Sequence, residues 1–227
     1  MINEKHVEIF FDCLDESAML LYHTQKISYL SGIVKTCENL LANSANEDDE
    51  ELNKKLYDLI HSISNIEFNK EEIRKAFQYA VLKGFKHVNI SNQMITPESI
   101  AMLMTYLIGK LYDFNRLRLY DPLSGTGNLM AAIANQFKED IELVGVDHFG
   151  VSYELSQALF GLLDYGNQLF FQDTLTSNHI NADVIVSDFS AVDLNNILNI
   201  INHQSNNIKS DGYFVFMVDN QFFETLN

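Results

Sequence analysis

The clearest chemical signal in the sequence is the segment Asp121–Leu129, which reads DPLSGTGNL. An apolar run, LRLYD, leads into it, and an apolar stretch with helical character, NLMAAIANQF, leaves it. Gly125 and Gly127 permit a tight turn and a close approach of the backbone to a ligand, because glycine has no Cβ. The first turn of the following helix offers unpaired N–H groups to a carboxylate or a phosphate. The pattern therefore predicts a ligand-binding turn between a strand and a helix.

Two other interpretations of this turn stay open. A dinucleotide-binding turn has the form GxGxxG, in which the third glycine lets the helix pack closely on the sheet. Here the residue three positions after Gly127 is Met130, so the sequence disfavours a dinucleotide-binding enzyme. An ordinary strand–turn–helix junction without a ligand is the remaining alternative.

Acidic residues mark the ends of the apolar runs that we interpret as strands. They are Asp121, Asp147, Asp173, Asp188 and Asp219. Parallel sheets bind ligands at the carboxyl ends of their strands, near the point where the strand order reverses. A row of carboxylates along that edge is not explained by solubility alone. Asp147, 26 residues after Asp121, stands where an acid can take both hydroxyls of a ribose.

The elements that must position these residues follow from the alternation of short apolar runs and helical stretches. The predicted strands are Leu117–Tyr120, Leu143–Val146, Leu169–Phe171, Val184–Val186 and Tyr213–Val218. The predicted helices between them lie near 127–137, 151–164 and 191–204. Such alternation is typical of an α/β fold, a parallel sheet covered by helices. We expect the adjacent phenylalanines Phe170 and Phe171 to lie in its core.

The first part of the chain has the apolar spacing of helices and lacks the alternation of strands and helices. Apolar spacing predicts two helices over 4–43, and the acidic run 47–51 opens another, because acids in a first turn oppose the helix dipole. Asn69, with Glu72 three residues on, resembles a capping box and begins a helix that we expect to end near Gly84. We predict an all-α domain over 1–88, serving packing or oligomerisation, and an α/β domain over 89–227.

A further segment, QMITPESI, places Thr96 and Pro97 before a predicted helix. This segment, the glycine turn, Asp147 and Asp173 are four sequence elements that follow one another along the chain. This order resembles bacterial adenine-specific (N6-adenine) DNA methyltransferases, which belong to the class I S-adenosylmethionine (SAM) dependent methyltransferases. The resemblance covers about residues 92–190. It implies a Rossmann-like, mostly parallel sheet with SAM as the cofactor.

The resemblance also implies roles for individual residues. The Thr96 hydroxyl would meet the methionyl carboxylate of SAM, Asp147 the ribose, and Asp173 the adenine amine. The other cofactor-binding residues that it implies are Pro97, Asp121, Ser124, Gly125, Thr126, Gly127, His148 and Thr174. His148 would flank the adenine.

The family's catalytic motif, (N/D)PP(Y/F), is altered here. In the family the polar residue accepts hydrogens from the target amine, and the aromatic residue stacks on a flipped-out base. The matching stretch is VSDFSA, in which Asp188 holds the polar position but both prolines are absent. Ala191 stands at the aromatic position, so Phe189 is the candidate substitute. We predict Asp188 and Phe189 as the catalytic residues if transfer occurs.

The charge of the chain disfavours a nucleic-acid partner, which the resemblance would otherwise suggest. The net charge is −16, and residues 93–227 carry 5 basic against 16 acidic residues, a balance of −11. Nucleic-acid binding draws most of its affinity from Lys and Arg at phosphates. Two hypotheses therefore stand: a SAM-dependent methyltransferase acting on an adenine amine, and a catalytically degenerate SAM-binding regulatory or partner-binding module.

Several other classes of protein are excluded by composition. With 47% hydrophobic residues, 16 Phe and 10 Tyr, the chain can build a core and is not intrinsically disordered. Cys13 and Cys37 make no disulfide framework, and the histidines and carboxylates show no metal-binding spacing such as HExxH. No apolar run reaches 18 residues, so we expect a cytoplasmic protein without a membrane span or signal peptide.

The number of predicted strands is relevant to how copies of the chain could associate. The methyltransferase sheet normally has seven strands, whereas the sequence predicts five. We therefore expect a C-terminally truncated domain, either a piece of a longer protein or a shortened sheet. Tyr213–Val218 would then be an exposed apolar edge, which proteins usually cover or pair. Pairing of that edge, or contact through the helical domain, would allow a homodimer, whereas the sequence does not fix the oligomeric state.

Overall fold

The computed structural model describes residues 2–88, 95–111, 116–137, 140–178 and 180–224. The chain divides into two compact units. The first comprises Met1–Asn92 with Gln157–Asp164, and the second comprises Gln93–Ser156 with Tyr165–Asn227. Residue 89, where we placed the start of the second domain, lies outside the described residues, as do Gln93 and Met94 of the segment that precedes Thr96.

Four helices lie wholly within the described residues of the first unit. They are α1 (Glu4–Gln25), α2 (Tyr29–Ala42), α3 (Glu50–Ser62) and α4 (Lys70–His87). Each begins at a side chain that accepts hydrogen bonds from backbone N–H groups of its first turn, namely Asn3, Ser28, Asp49 and Asn69. Such caps satisfy donors that have no partner within the helix. The predicted helix pair over 4–43 and the helix opened by the acidic run are confirmed.

The capping box at the start of α4 is also confirmed. The Asn69 side chain accepts from the backbone N–H of Glu72, and the Glu72 carboxylate accepts from the backbone N–H of Asn69 at 3.0 Å. The helix continues past Gly84 to His87, so the predicted end was wrong. Gly84 is required for packing instead, because a Cβ there would lie 2.3 Å from Cδ2 of Leu30 on α2.

The second unit is a five-stranded parallel sheet with helices. Its strands are β1 (Arg116–Asp121), β2 (Asp140–Asp147), β3 (Asn167–Phe171), β4 (Ala182–Asp188) and β5 (Ile208–Met217). Its helices are α5 (Glu98–Leu111), α6 (Asn128–Ala134), α7 (Gly150–Leu162), α8 (Leu194–Gln204) and α9 (Gln221–Glu224). The residues of α7 from Gln157 onward belong to the first unit. A 3₁₀ turn at Thr174–Thr176 follows β3. The predicted strand–helix alternation is confirmed.

The order of the strands fixes where a ligand can bind. The order is β3-β2-β1-β4-β5, and every pairing is parallel. The chain steps outward in one direction from β1 to β3 and then crosses back to β4 on the other side of β1. This reversal leaves a crevice outside the carboxyl ends of β1 and β4, where open α/β sheets bind ligands.

The core of the sheet lies in its central strands. Leu119, Val144, Val184 and Ile185 have no exposed surface, as expected for parallel strands covered on both faces. The expectation that the two adjacent phenylalanines after Leu169 are core residues was wrong. Phe170 is 39% exposed and Phe171 is 58% exposed, because β3 pairs only with β2 and lies at the edge of the described sheet.

The opposite edge is β5, which pairs with β4 and begins at Ile208 rather than at the predicted Tyr213. Tyr213 and Phe214 are 37% and 38% exposed, which agrees with the expected apolar edge.

Within the described parts of the chain, no helix combines the length and the apolar character needed to cross a membrane.

Candidate functional site

A cavity of about 460 Å³ opens at the carboxyl ends of the strands in the second unit. Ten predicted site residues line it: Thr96, Asp121, Ser124, Gly125, Thr126, Asp147, His148, Asp173, Thr174 and Asp188. They come from the segment before α5, the glycine turn, and the ends of β1 to β4. The fold therefore brings together residues that are up to 92 positions apart in the sequence.

Three predicted site residues are not among those that line the cavity. The carbonyl of Pro97 accepts from the N–H groups of Ile100 and Ala101 at the start of α5, both at 3.0 Å. Gly127 is the N-cap of α6. Phe189 is 1% exposed and belongs to an apolar cluster with Ile197, Ile200 and Phe222. The idea that Phe189 offers a stacking face is therefore corrected: its ring is part of the core.

The turn after β1 needs its glycines. Gly125 has φ 52° and Gly127 has φ 77°, both in the left-handed region that residues with a Cβ avoid. The backbone N–H of Ser124 donates to the carbonyl of Val146 at 2.9 Å, and the N–H of Gly127 donates to the carbonyl of Ser124 at 2.8 Å. The turn is thus closed on itself and attached to β2.

Asp147 connects this turn to the end of β2. Its Oδ2 accepts from the N–H of Gly125 at 2.9 Å, and its Oδ1 accepts from the N–H of Phe149 at 2.7 Å. Burial raises the pKa of Asp147 above its ordinary value, and these two N–H groups oppose the shift. Each carboxylate oxygen can accept more than one hydrogen bond, so Asp147 can still receive two hydroxyls from a ligand.

Asp121 is the most deeply buried acid of the cavity. Its Oδ1 accepts from the N–H of Leu123 at 3.0 Å and from the hydroxyl of Ser187 at 2.9 Å. Burial raises the pKa of Asp121 from 3.8 to about 7; the two donors oppose the shift, and the charges of Asp147 and Asp188 add to it. A ligand with a positive charge beside Asp121 would favour its ionised form.

The side of the cavity near β3 is formed by the 3₁₀ turn. The exposed Asp173 caps this turn, with its Oδ1 accepting from the N–H of Leu175 at 2.8 Å. Thr174 is buried, and its carbonyl and hydroxyl both accept from Nε2 of Gln204 on α8, at 2.9 and 3.0 Å. Helix α8 therefore holds the loop that carries Asp173.

Asp188 lies at the end of β4, on the other side of the cavity. Its Oδ1 accepts from the backbone N–H and the hydroxyl of Ser190. Its Oδ2 is buried and has no hydrogen-bond partner among the described residues. An unpaired buried carboxylate oxygen is costly, so a donor brought by a ligand would be stabilised there.

A second group of lining residues was not predicted from the sequence. Beyond Asp188 the cavity is lined by Ala191, Val192, Asp193, Asn196, Asn199 and Ile200. Asn196 and Asn199 are three positions apart on α8 and so lie on one side of that helix. That spacing, on a helix that follows the fourth strand, was the available signal. Phe149 was also missed; its ring lies 4.1 Å from that of the exposed His148.

The positive side chains that the structure describes in this unit lie outside the cavity. No Lys or Arg is among the described residues that line the cavity. Arg118, near the start of β1, pairs with Glu142 near the start of β2 at 3.5 Å. Lys209, near the start of β5, pairs with Asp183 near the start of β4 at 2.5 Å. These ion pairs occupy the amino ends of the strands, opposite the cavity.

Comparison with known proteins adds to this description. Residues 8–85 match the family model described as the YtxK N-terminal helical domain. Over 193 residues the chain is 29% identical to YtxK of Bacillus subtilis, an uncharacterized protein, with 82% of this chain and 59% of that protein covered. The chain thus spans less than two thirds of the length of this curated relative.

Solved structures are similar as well. A crystal structure from Listeria monocytogenes, assigned as a class I SAM-dependent methyltransferase, matches with a TM-score of 0.85 and 29% identity, covering 97% of this chain and 76% of that one. The fold of the second unit is the Rossmann-like methyltransferase fold. The methyltransferase subunit of a type I restriction-modification system from Streptococcus thermophilus also shares the fold, with a TM-score of 0.55 and 13% identity over 90% of this chain and 55% of that one.

Proposed function

We propose that the second unit binds SAM in the cavity at the carboxyl ends of its strands and transfers the methyl group to an amine nitrogen. One observation carries the proposal. The glycine turn, Asp147, Asp173 and Asp188, which are separated in the sequence, line a single cavity at the carboxyl ends of the strands. The similarity to the Listeria methyltransferase over nearly the whole chain supports it.

The residues present fit the cofactor. Thr96 and the N–H groups near the glycine turn would hold the methionyl carboxylate, Asp147 the ribose hydroxyls, and Asp173 the adenine amine. Asp121 would balance the positive charge of SAM. The cavity volume of about 460 Å³ lies within the range of small-molecule sites.

SAM supplies an electrophilic methyl group on a sulfonium. The contribution of the chain is to place an amine lone pair in line with that group, because alignment of reacting atoms is a large part of such catalysis. Oδ2 of Asp188 has no partner in the described structure and would accept an N–H of the amine. Asp188 would thereby fix the direction of the lone pair.

The resemblance to adenine-specific methyltransferases implies an adenine amine in nucleic acid as the acceptor. The unpaired Oδ2 of Asp188 supports an amine acceptor in general and does not distinguish an adenine in nucleic acid from a smaller amine. The second candidate function, a SAM-binding module without transfer, is favoured by the core position of Phe189 and by Ala191, because neither can stack on a base.

Methyl transfer from labelled SAM separates these candidates. We expect calorimetry to show that the chain binds SAM, and we expect label to be transferred to the acceptor. Asp188→Ala should reduce the rate of transfer by at least ~100-fold, the range expected when a group that positions the acceptor or acts in acid–base catalysis is lost. The SAM Kd of this variant should stay within about threefold of the wild-type value. Asp219→Ala is the matched control, because Asp219 also follows a strand but is not among the lining residues. A chain that binds SAM and labels no acceptor would favour the binding module.

A further inference from the structure

We infer that the α8 side of the cavity is an acceptor subsite for a free small-molecule amine rather than for a base within a nucleic acid. The inference rests on the proposed methyltransferase function and names its substrate class. The acceptor subsite is defined here as Asp188, Ala191, Val192, Asp193, Asn196 and Asn199.

The order of the strands separates this subsite from the part of the cavity assigned to the nucleoside of SAM. Asp147 ends β2 and Asp173 follows β3, both on one side of β1. The acceptor subsite follows β4, on the other side of β1. The glycine turn lies between them, after β1 itself. A methyl group held near that turn would therefore lie next to the residues of β4 and α8.

The polar groups of the subsite match an amine. Oδ2 of Asp188 is buried without a partner among the described residues and requires a donor. Asn196 and Asn199 each add an amide oxygen that accepts and an NH₂ group that donates. Asp193, the N-cap of α8, adds a second carboxylate. An N–H donor with a neutral or positive charge is the chemistry that such a lining stabilises.

The same lining does not suit a nucleotide that is part of a DNA or RNA chain. A phosphate would meet Asp188 and Asp193 with no Lys or Arg among the described lining residues, although neutralisation of phosphates is the main source of nucleic-acid affinity. A flipped-out base also needs an aromatic or apolar face on which to stack. Phe189 is buried in the core, and Ala191 has only a methyl group.

The transfer step balances as follows. The nitrogen lone pair forms the new N–C bond while the C–S bond breaks, and the electrons of that bond return to sulfur, giving the neutral thioether S-adenosylhomocysteine. The product nitrogen takes over the positive charge and releases a proton through Asp188 to water. The acceptor must therefore enter the subsite as the free amine, or lose its proton there before attack.

The test uses the whole chain, labelled SAM and two classes of acceptor: a panel of putrescine, ethanolamine, glycinamide and adenosine, and a single-stranded oligonucleotide that contains adenine. We expect label in at least one small amine and none in the oligonucleotide. The double variant Asn196→Ala/Asn199→Ala should raise the KM for that amine at least tenfold and leave the SAM Kd within twofold. Asn202→Ala, an exposed position on the same helix that is not among the lining residues, should change neither.

A variant that adds a positive charge separates the two acceptor classes further. Asn199→Lys places an ammonium group in the subsite, where it competes with the small amine for Asp188 and Asp193, so it should lower transfer to that amine; if a nucleic acid were the acceptor, the same change would raise transfer to the oligonucleotide. Label in the oligonucleotide alone, or SAM binding with no label in either class, overturns the inference. Absence of SAM binding in calorimetry would instead reject the proposed function on which it rests.

Discussion

Asp121 is a buried carboxylate, and its protonation couples the stability of the second unit to pH. Its pKa is about 7 in the folded protein, against 3.8 ordinarily, chiefly because it is buried. Since the folded-state pKa is the higher one, the stabilising contribution of the protonated form is complete below pH 3.8 and is lost as the pH rises through 7. Burial also raises the pKa of Asp147, so a variant is needed to isolate the contribution of Asp121.

Asp121→Asn should isolate that contribution. We expect the variant to gain stability relative to the wild type between pH 5 and pH 8, by a few kcal/mol at most, since each unit of pKa shift corresponds to about 1.4 kcal/mol. The measurement is the free energy of unfolding of both proteins in urea at the two pH values. An equal difference between the proteins at pH 5 and pH 8 would contradict the account of Asp121.

The same residue predicts how SAM binding depends on pH. A cation bound beside Asp121 favours its ionised form, so binding should release a proton and affinity should fall as the pH drops from 8 to 6. The fall should not exceed about tenfold per pH unit, as expected for one proton. Calorimetry in two buffers with different ionisation enthalpies counts the protons released. Asp121→Asn should remove that release, whereas an undiminished release would assign it to another group.

At the scale of elements, α8 joins the two sides of the cavity. Gln204, near its end, donates to the carbonyl and hydroxyl of Thr174, and its Oε1 accepts from Nδ2 of Asn207 at 2.7 Å. Earlier on the same helix, Asn196 and Asn199 line the acceptor subsite. The helix therefore supports the loop assigned to adenine binding and also presents the subsite assigned to the acceptor.

Gln204→Leu tests this support. Removing the amide takes one partner from the buried Thr174 carbonyl and one from the Asn207 amide, although both keep a hydrogen bond to Ser177; the loss is therefore that of ordinary hydrogen bonds, roughly 0.5–1.5 kcal/mol each. We expect a lower unfolding free energy and a SAM affinity reduced severalfold, because the loop that carries Asp173 loses its support. Asn202→Leu, on the exposed surface of α8, is the matched control. An unchanged SAM affinity in a folded Gln204→Leu protein would show that the loop does not depend on α8.

The elements also show how far the sequence could predict the structure. Central strands such as β4 were predicted because a strand buried on both faces is a continuous apolar run. The exposure of Phe170 and Phe171 was not predicted, because apolar side chains do not reveal that a strand lies at an edge. The early start of β5 was missed because the polar stretch before Tyr213 contains Gly212, next to an irregular pairing with β4.

The candidate site was predicted only in part, for a related reason. Asp147 and Asp188 were found because an acid directly after an apolar run stands out in a sequence. Asn196 and Asn199 were not found, because amides on an amphipathic helix resemble an ordinary solvent-facing surface until the fold shows what they face. The core position of Phe189 depends on its contacts with α8 and α9, which no local pattern reveals.

At the scale of the whole molecule, the distribution of charge is the main constraint on partners. The chain carries a net charge of −16, and the described ion pairs of the second unit that involve Arg118 and Lys209 lie at the amino ends of its strands. The cavity is at the opposite edge. A polyanion approaching the cavity would therefore meet carboxylates first.

This distribution predicts weak binding to nucleic acid. We expect the chain to bind a labelled 30-base-pair DNA duplex no more tightly than ~100 μM at 150 mM salt, the weak end of non-specific binding, with little dependence on salt because few counterions would be released. Fluorescence anisotropy across a salt series measures both quantities. A micromolar Kd with a steep salt slope would show that the chain presents a basic surface that its described residues do not provide.

The central claim is that the cavity at the carboxyl ends of the strands holds SAM, and calorimetry with the wild type and two variants tests it most directly. We predict one SAM per chain, no comparable binding of NAD, and at least a tenfold loss of affinity, about 1.4 kcal/mol, in both Asp147→Ala and Asp173→Ala. Asp173 is exposed and its side chain caps only the 3₁₀ turn, so its variant should leave the sheet folded; Asp219→Ala, which removes a similar contact with the N–H of Gln221, should bind as the wild type does. SAM binding that is absent, weaker than that of NAD, or unchanged in both variants would contradict the claim.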